Sequence, residues 1–125
     1  MDNNISTSRA GEDLLEAVYI LSKKYYCVRS VDVAYYLGIA KATVSRTTKF
    51  LVNDGFITKD EDGSIKLTES GKKIGREVYD KHCFFRQWLL DAGVENDVAE
   101  REACQLEHMI SGDTFEKLKK AYGTV

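Results

Sequence analysis

The sequence predicts a mainly α fold interrupted by a single two-stranded hairpin. Three observations carry this. Apolar residues recur at helical spacing through most of the chain, and one stretch alternates at strand spacing around a glycine turn. Proline is absent, and glycines stand where helices should stop.

The 125 residues suit one globular unit or two small subdomains. A composition of 43% hydrophobic and 30% charged residues is that of a folded protein, not a disordered one. No apolar run is long enough to span a bilayer. The polar stretch from Met1 to Asp13 lacks the apolar centre of a signal peptide, so a cytoplasmic protein is expected. Three cysteines, Cys27, Cys83 and Cys104, form an odd set without a CxxC pair, which argues against a disulfide framework. Cys27 and Cys83 read as small core fillers.

In chain order, Ser8 caps a first helix that ends near Lys24, with Leu14, Leu15, Val18, Tyr19, Leu21 and Ser22 as its stripe. Asp13 and Glu16 share one face of it. Ser30 caps a short helix with Val31, Ala34 and Leu37 inward, which stops at Gly38. Ala40 to Gly55 forms another, with Val44, Thr47, Thr48 and Leu51 buried. Helix, tight turn, helix is helix-turn-helix spacing. Phe56–Lys59 and Ile65–Leu67 then flank the Gly63 turn as a hairpin, the wing of a winged helix.

Thr68 caps a long helix whose stripe includes Ile74, Val78, His82, Phe85 and Leu89, broken by Gly93. This is more apolar surface than a small winged domain covers, so packing against further helices and a second subunit is expected. The next helix starts at Asn96 or Asp97 and runs through Cys104 to Ile110, with Leu106, Met109 and Ile110 available to the core. The last, from Thr114 to Tyr122, turns Phe115, Leu118 and Tyr122 inward. The fold class is therefore mainly α: an N-terminal winged helix-turn-helix with a two-stranded wing over residues 1–69, followed by an α-helical dimerisation domain over 70–125.

Charge is unevenly distributed. The net charge of −2 excludes a polycation, so nucleic-acid binding requires a local patch. Gly38 to Phe50 holds Lys41, Arg46 and Lys49 and no acid, whereas Asp91 to Glu107 holds six acids against Arg101 alone. Ala42, Thr43 and Ser45 are small enough to let the helix approach a groove, with Lys41, Arg46 and Lys49 meeting phosphates or base edges. Lys59 and Lys66 on the wing can straddle a phosphate backbone. The acids at its tip keep the tip itself off DNA.

Cys104, Glu107 and His108, at i, i+3 and i+4, offer soft, hard and borderline metal donors from one turn. One turn cannot close a coordination shell, so further ligands must come from elsewhere. Asp13, Glu16 and His82 are the best available. A buried cysteine beside a surface Glu107–His108 pair is the alternative. Two others are a winged-helix regulator sensing an organic ligand or Cys104 oxidation, and an enzyme using Cys104 as nucleophile with His108 as base.

Several stretches resemble the metal-dependent repressors of the diphtheria-toxin-repressor and manganese-transport-regulator type. They are Glu12-Asp13-Leu14-Leu15-Glu16-Ala17-Val18-Tyr19, Ala40-Lys41-Ala42-Thr43-Val44-Ser45 and Ile65-Lys66-Leu67-Thr68-Glu69-Ser70-Gly71-Lys72. Lys81-His82 and Glu102-Ala103-Cys104-Gln105-Leu106-Glu107-His108-Met109-Ile110-Ser111 follow. The resemblance runs from about Arg9 to Tyr122. It implies a homodimer that binds double-stranded operator DNA when loaded with a divalent transition metal, Mn2+ or Fe2+ before Zn2+ or Co2+, and that does not enter the membrane.

The resemblance also implies individual roles. Asp13 stands where manganese regulators use an aspartate ligand. Cys104 stands where iron regulators use a cysteine. Glu107 and His108 match ligands of both branches, and Glu16 and His82 match a second, adjacent metal position that Glu107 can bridge. Arg86 and Glu100 occupy two positions of the iron branch's ancillary site and depart from its pattern. Thr43, Ser45 and Arg46 would face bases, with Lys41, Lys49, Lys59 and Lys66 on phosphates. A metal joining the first helix to the Cys104–His108 turn would set the spacing of two recognition helices in a dimer to roughly 34–36 Å.

Overall fold

A computed structural model describes residues 8–122; residues 1–7, part of the polar stretch read above as lacking a signal peptide, lie outside the described residues. The elements are α1 (Arg9–Lys24), α2 (Ser30–Leu37), α3 (Lys41–Asn53), β1 (Ile57–Lys59), β2 (Ile65–Leu67), α4 (Glu69–Asp91), α5 (Asn96–Leu106) and α6 (Gly112–Tyr122). The chain divides into two compact units within α4, between Arg76 and Glu77. No described helix is long and apolar enough to cross a membrane.

In the first unit, α1 starts as its sequence indicates: the Ser8 hydroxyl accepts the Gly11 N–H at 3.1 Å. Its buried face is Gly11, Leu14, Leu15, Ala17, Val18 and Leu21, while Ser22 is exposed. α3 buries Val44, Thr47, Thr48 and Leu51, the four residues of its predicted stripe. α2 differs by one position. Arg29 is its N-cap, and the Arg29 N–H donates to the Asp32 carboxylate at 2.9 Å. That local bond starts the helix so that Ser30, Val33 and Ala34 face inward and Val31 faces solvent. Gly38 ends α2 at φ 69°, a left-handed conformation that a Cβ would disfavour.

The wing is an antiparallel pair with Ile57 opposite Leu67, Thr58 opposite Lys66 and Lys59 opposite Ile65. Ile57 and Ile65 are buried in a core with Leu14, Leu15, Val18, Val33, Val44 and Leu51. The Ile65 N–H donates to the Val28 carbonyl at 2.7 Å, which fastens β2 to the α1–α2 connection. At the other end of the hairpin, Arg29 Nε donates to the Asp62 carbonyl at 3.2 Å, and its guanidinium lies 3.7 Å from the Asp62 carboxylate. The Ser64 backbone and side chain hydrogen-bond Asp62, holding its carboxyl below the usual range, with Arg29 contributing. The acidic wing tip is thus tied down by its own chain.

Thr68 caps α4 in both directions. Its hydroxyl accepts the Gly71 N–H at 3.2 Å and donates to the Gly55 carbonyl at 2.7 Å. Gly71 and Gly75 let α4 approach its neighbours: a Cβ at Gly71 would lie 2.0 Å from the Phe56 carbonyl oxygen, and one at Gly75 would lie 2.7 Å from that of Leu15.

The second unit is built on aromatic packing. Phe85 of α4 and Phe115 of α6 are buried with Ala103 of α5, and Phe84, Leu106, Ile110 and Leu118 pack around them. Phe84 meets both Phe85 and Phe115 edge-on, with ring centroids 5.3 and 5.5 Å apart. Two residues expected in the core are not there. Met109 is 79% exposed and Tyr122 67% exposed. Met109 faces out because α5 stops at Leu106, so the helical register no longer carries it inward. Tyr122 stands in the final turn of α6, past Phe115 and Leu118, which make that helix's core contacts.

Replacing a helical glycine with alanine ordinarily stabilises a helix by up to about 1 kcal/mol, less in the first turn, where Gly71 stands. The backbone clash at Gly71 reverses the sign, because overpacking costs about 1–3 kcal/mol. Gly71→Ala should lower unfolding free energy by about 1–2 kcal/mol in denaturant titration. A variant as stable as the parent would contradict the close packing of α4 on Phe56.

Candidate metal centre

α5 delivers its donors in a turn that tightens as the helix ends. Glu107 is the C-cap residue, at φ −60° and ψ −26°, and its N–H still reaches the Ala103 carbonyl at 3.0 Å. The next bonds, His108 N–H to Gln105 at 3.4 Å and Met109 N–H to Leu106 at 3.0 Å, span three residues rather than four. The regular helix expected to reach Ile110 therefore ends at Leu106. Convergence of the donors survives the change: one ligand atom from each of Cys104, Glu107 and His108 lies within 4.8 Å of the others.

Glu107 is wholly buried, and Cys104 and His108 are half-buried. From α4, His82 reaches the same carboxylate, with Nδ1 2.7 Å from Glu107 Oε1. The other ring nitrogen, Nε2, hydrogen-bonds the Glu100 carboxylate. The hydrogen bond to Glu107 raises the His82 pKa from 6.5 to about 9. Burial opposes this, and the charges of Glu107 and Glu100 add to it. His82 therefore carries a proton at neutral pH, with both N–H groups donating to carboxylates.

These residues fit a divalent cation. A carboxylate at 0% exposure needs compensating charge. Glu107 also stands at a helix C-terminus, where the backbone dipole is negative and favours a cation. One oxygen, Oε2, has no hydrogen bond and lies 3.3 Å from His108 Nε2. A thiol, an imidazole and a half-satisfied buried carboxylate around one point make a donor set for a transition metal.

Among the residues singled out from sequence, the structure brings together Cys104, Glu107, His108 and His82 within the second unit. Asp13 and Glu16 lie on α1 in the first unit, both half-buried. Two roles were missed. Glu100 was singled out only as a departure from the ancillary-site pattern, and its pairing with His82 is visible only in the structure. Lys81 is a buried lysine that no periodicity marks.

Of the residues expected at DNA, Lys41, Ser45, Arg46 and Lys49 are exposed on α3 and Thr43 is half-buried. Lys59 and Lys66 are exposed on the wing, at non-paired positions of adjacent strands, so they leave opposite faces of the hairpin. The Lys66 ammonium lies 3.4 Å from the Asp60 carboxylate.

Residues 68–125 match the family described as iron-dependent repressor, metal binding and dimerisation domain. An uncharacterised HTH-type transcriptional regulator of Methanocaldococcus jannaschii is 31% identical over 114 residues, which cover 90% of this chain and 91% of the relative. The transcriptional regulator MntR of Escherichia coli is 30% identical over 108 residues, covering 86% of this chain and 70% of the relative. Among solved structures, the manganese regulator SloR superposes with a TM-score of 0.78 at 26% identity, over 97% of this chain and 54% of SloR. The chain thus spans about half the length of that structural relative. On these matches, and with the fold and donor cluster described, the chain belongs to the MntR-type, iron-dependent-repressor family of transcriptional regulators.

Proposed function

We propose that this chain is a homodimeric, metal-activated repressor that binds operator DNA in the cytoplasm and controls manganese or iron homeostasis. The observation that carries the reading is the buried Glu107 carboxylate, held by His82 and facing His108 and Cys104. The signal is Mn2+ or Fe2+. Cys104 also admits Zn2+ and Co2+, so affinity alone does not select the metal.

Cys104, Glu107 and His108 hold the ion, with His82 beside them and Asp13 and Glu16 of α1 completing the shell. Acids from the winged part and donors from the helical part are then joined by one charge, which offsets repulsion among Asp13, Glu16 and Glu107. The bound cation supplies that positive charge. It favours the DNA-competent arrangement only through its higher affinity for it. By linkage, operator DNA tightens metal binding by the same factor. On DNA, Thr43, Ser45 and Arg46 face bases, while Lys41, Lys49, Lys59 and Lys66 meet phosphates. Lys66 must exchange its Asp60 contact for a phosphate, a small cost at an exposed pair.

We assign no enzymatic activity. Cys104 and His108 converge with Glu107 on one point, which suits a shared ligand better than a nucleophile and its base.

In a gel shift with added Mn2+, the double variant Glu107→Ala/His108→Ala should lose metal-stimulated operator binding. Stimulation equal to that of the parent would sink the mechanism. Arg46→Ala should weaken operator binding and reduce the slope of log K against log salt by about 1; an unchanged slope removes Arg46 from the interface.

The His82 pairing also predicts a pH dependence in the metal-free protein. Its folded pKa lies above 6.5, so its stabilisation is fully present below pH 6.5 and is lost as pH rises through about 9. The difference in unfolding free energy between the parent and His82→Gln should shrink across that window. A difference that stays constant from pH 6 to pH 10 would contradict the pairing.

A further inference from the structure

α4 holds the ligand-bearing turn at two points. One is the His82–Glu107 bond described above. The other is Lys81, which is 5% exposed and whose ammonium donates to the Ile110 carbonyl at 2.7 Å. Glu77, one turn earlier on α4, lies 3.8 Å from that ammonium. The Glu77 carboxylate also lies against Gly112, where an added Cβ would come within 3.1 Å of it. Glu77 and Lys81 therefore grip the corner between α5 and α6 at Gly112 and Ile110, and Ile110 lies two residues after His108.

The two contacts respond differently to a cation. The His82–Glu107 bond ends on a carboxylate that would itself become a ligand, so it would be weakened or given up on metal binding. The Lys81 bond ends on a backbone carbonyl that the metal does not use, and it can be kept in both states. It also places a positive charge on a backbone carbonyl just past the end of α5, at the negative end of that helix. A buried ammonium is costly unless hydrogen-bonded and charge-compensated, and Ile110 and Glu77 supply both.

We infer that Lys81 is a positioning residue for the metal centre, holding the Glu107–His108 turn on α4 so that its donors are already placed when the cation arrives. This rests on the metal-binding reading of that turn.

The test compares the parent with Lys81→Met, which keeps the stem and removes the donor, and Lys81→Arg, which keeps a donor. Mn2+ affinity is read from the EPR signal of the free ion, the geometry at Cys104 from the thiolate-to-metal band of the Co2+ form, and the fold from thermal unfolding without metal. Lys81→Met should weaken Mn2+ binding about tenfold and alter the Co2+ band, at the lower end of the effect of losing a ligand-orienting partner. Lys81→Arg should recover most of the affinity. If Lys81→Met unfolds at a lower temperature but binds Mn2+ and Co2+ like the parent, Lys81 is only a brace and the inference is overturned. Equal losses in the Met and Arg variants also overturn it. If Lys81→Met does not fold, Lys81→Leu, which also lacks a donor, takes its place with the same readouts. The underlying reading fails separately, and visibly, if the parent takes up no Mn2+ or if Glu107→Ala binds it as tightly as the parent.

Discussion

A carboxylate with no solvent exposure, placed at the negative end of a helix, sets the constraint on the second unit. Glu107 has both properties. Isolated, such a group would cost several kcal/mol, so the surrounding residues must supply positive charge. His82 does so from α4, and it holds its proton to about pH 9 because Glu107 and Glu100 sit at its two nitrogens. A proton on one imidazole is an incomplete answer, since Glu107 Oε2 makes no hydrogen bond. A divalent ion held by the same donors would neutralise more charge and could engage that oxygen.

The surrounding packing places these groups. Phe84, Phe85 and Phe115 form an aromatic core that Ala103, Leu106 and Ile110 complete, fixing α5 on α4 at the turn where Cys104 and Glu107 project. Burying rings such as Phe85 and Phe115 is worth about 1.5–3 kcal/mol each, enough to hold a charged residue where it would not settle alone. Lys81 then fastens the far side of the turn. In the first unit, the same reasoning concerns a different surface. The buried stripe of α3 leaves its basic and small residues outward, while Arg29 and Ser64 tie the acidic wing tip to its own chain.

Much of the fold was legible in the sequence because local and global preferences agree. The α3 stripe, the hairpin strands, the Ser8 cap and the Gly38 stop each follow from spacing or from one residue's chemistry. Misreadings arose where a local bond overrode the pattern. Arg29 and Asp32 start α2 one position earlier than the Ser30 cap suggested, turning Val31 outward. The α5 pattern continues past Leu106, but its backbone tightens at Glu107 and sends Met109 into solvent. The Cys104, Glu107 and His108 cluster was legible because i, i+3, i+4 spacing tolerates that tightening. Glu100 and Lys81 were not, because their significance lies in partners 18 residues before and 29 residues after them in the chain.

Mn2+ affinity of Glu107→Gln tests the central claim most directly. The amide keeps the shape of the side chain and a hydrogen-bonding oxygen for His82, and removes only the buried charge. If that charge organises the site, the variant should stay folded and bind Mn2+ at least about a hundredfold more weakly, the upper end of the loss from a mere ligand-orienting partner. Mn2+ binding as tight as that of the parent would contradict the account.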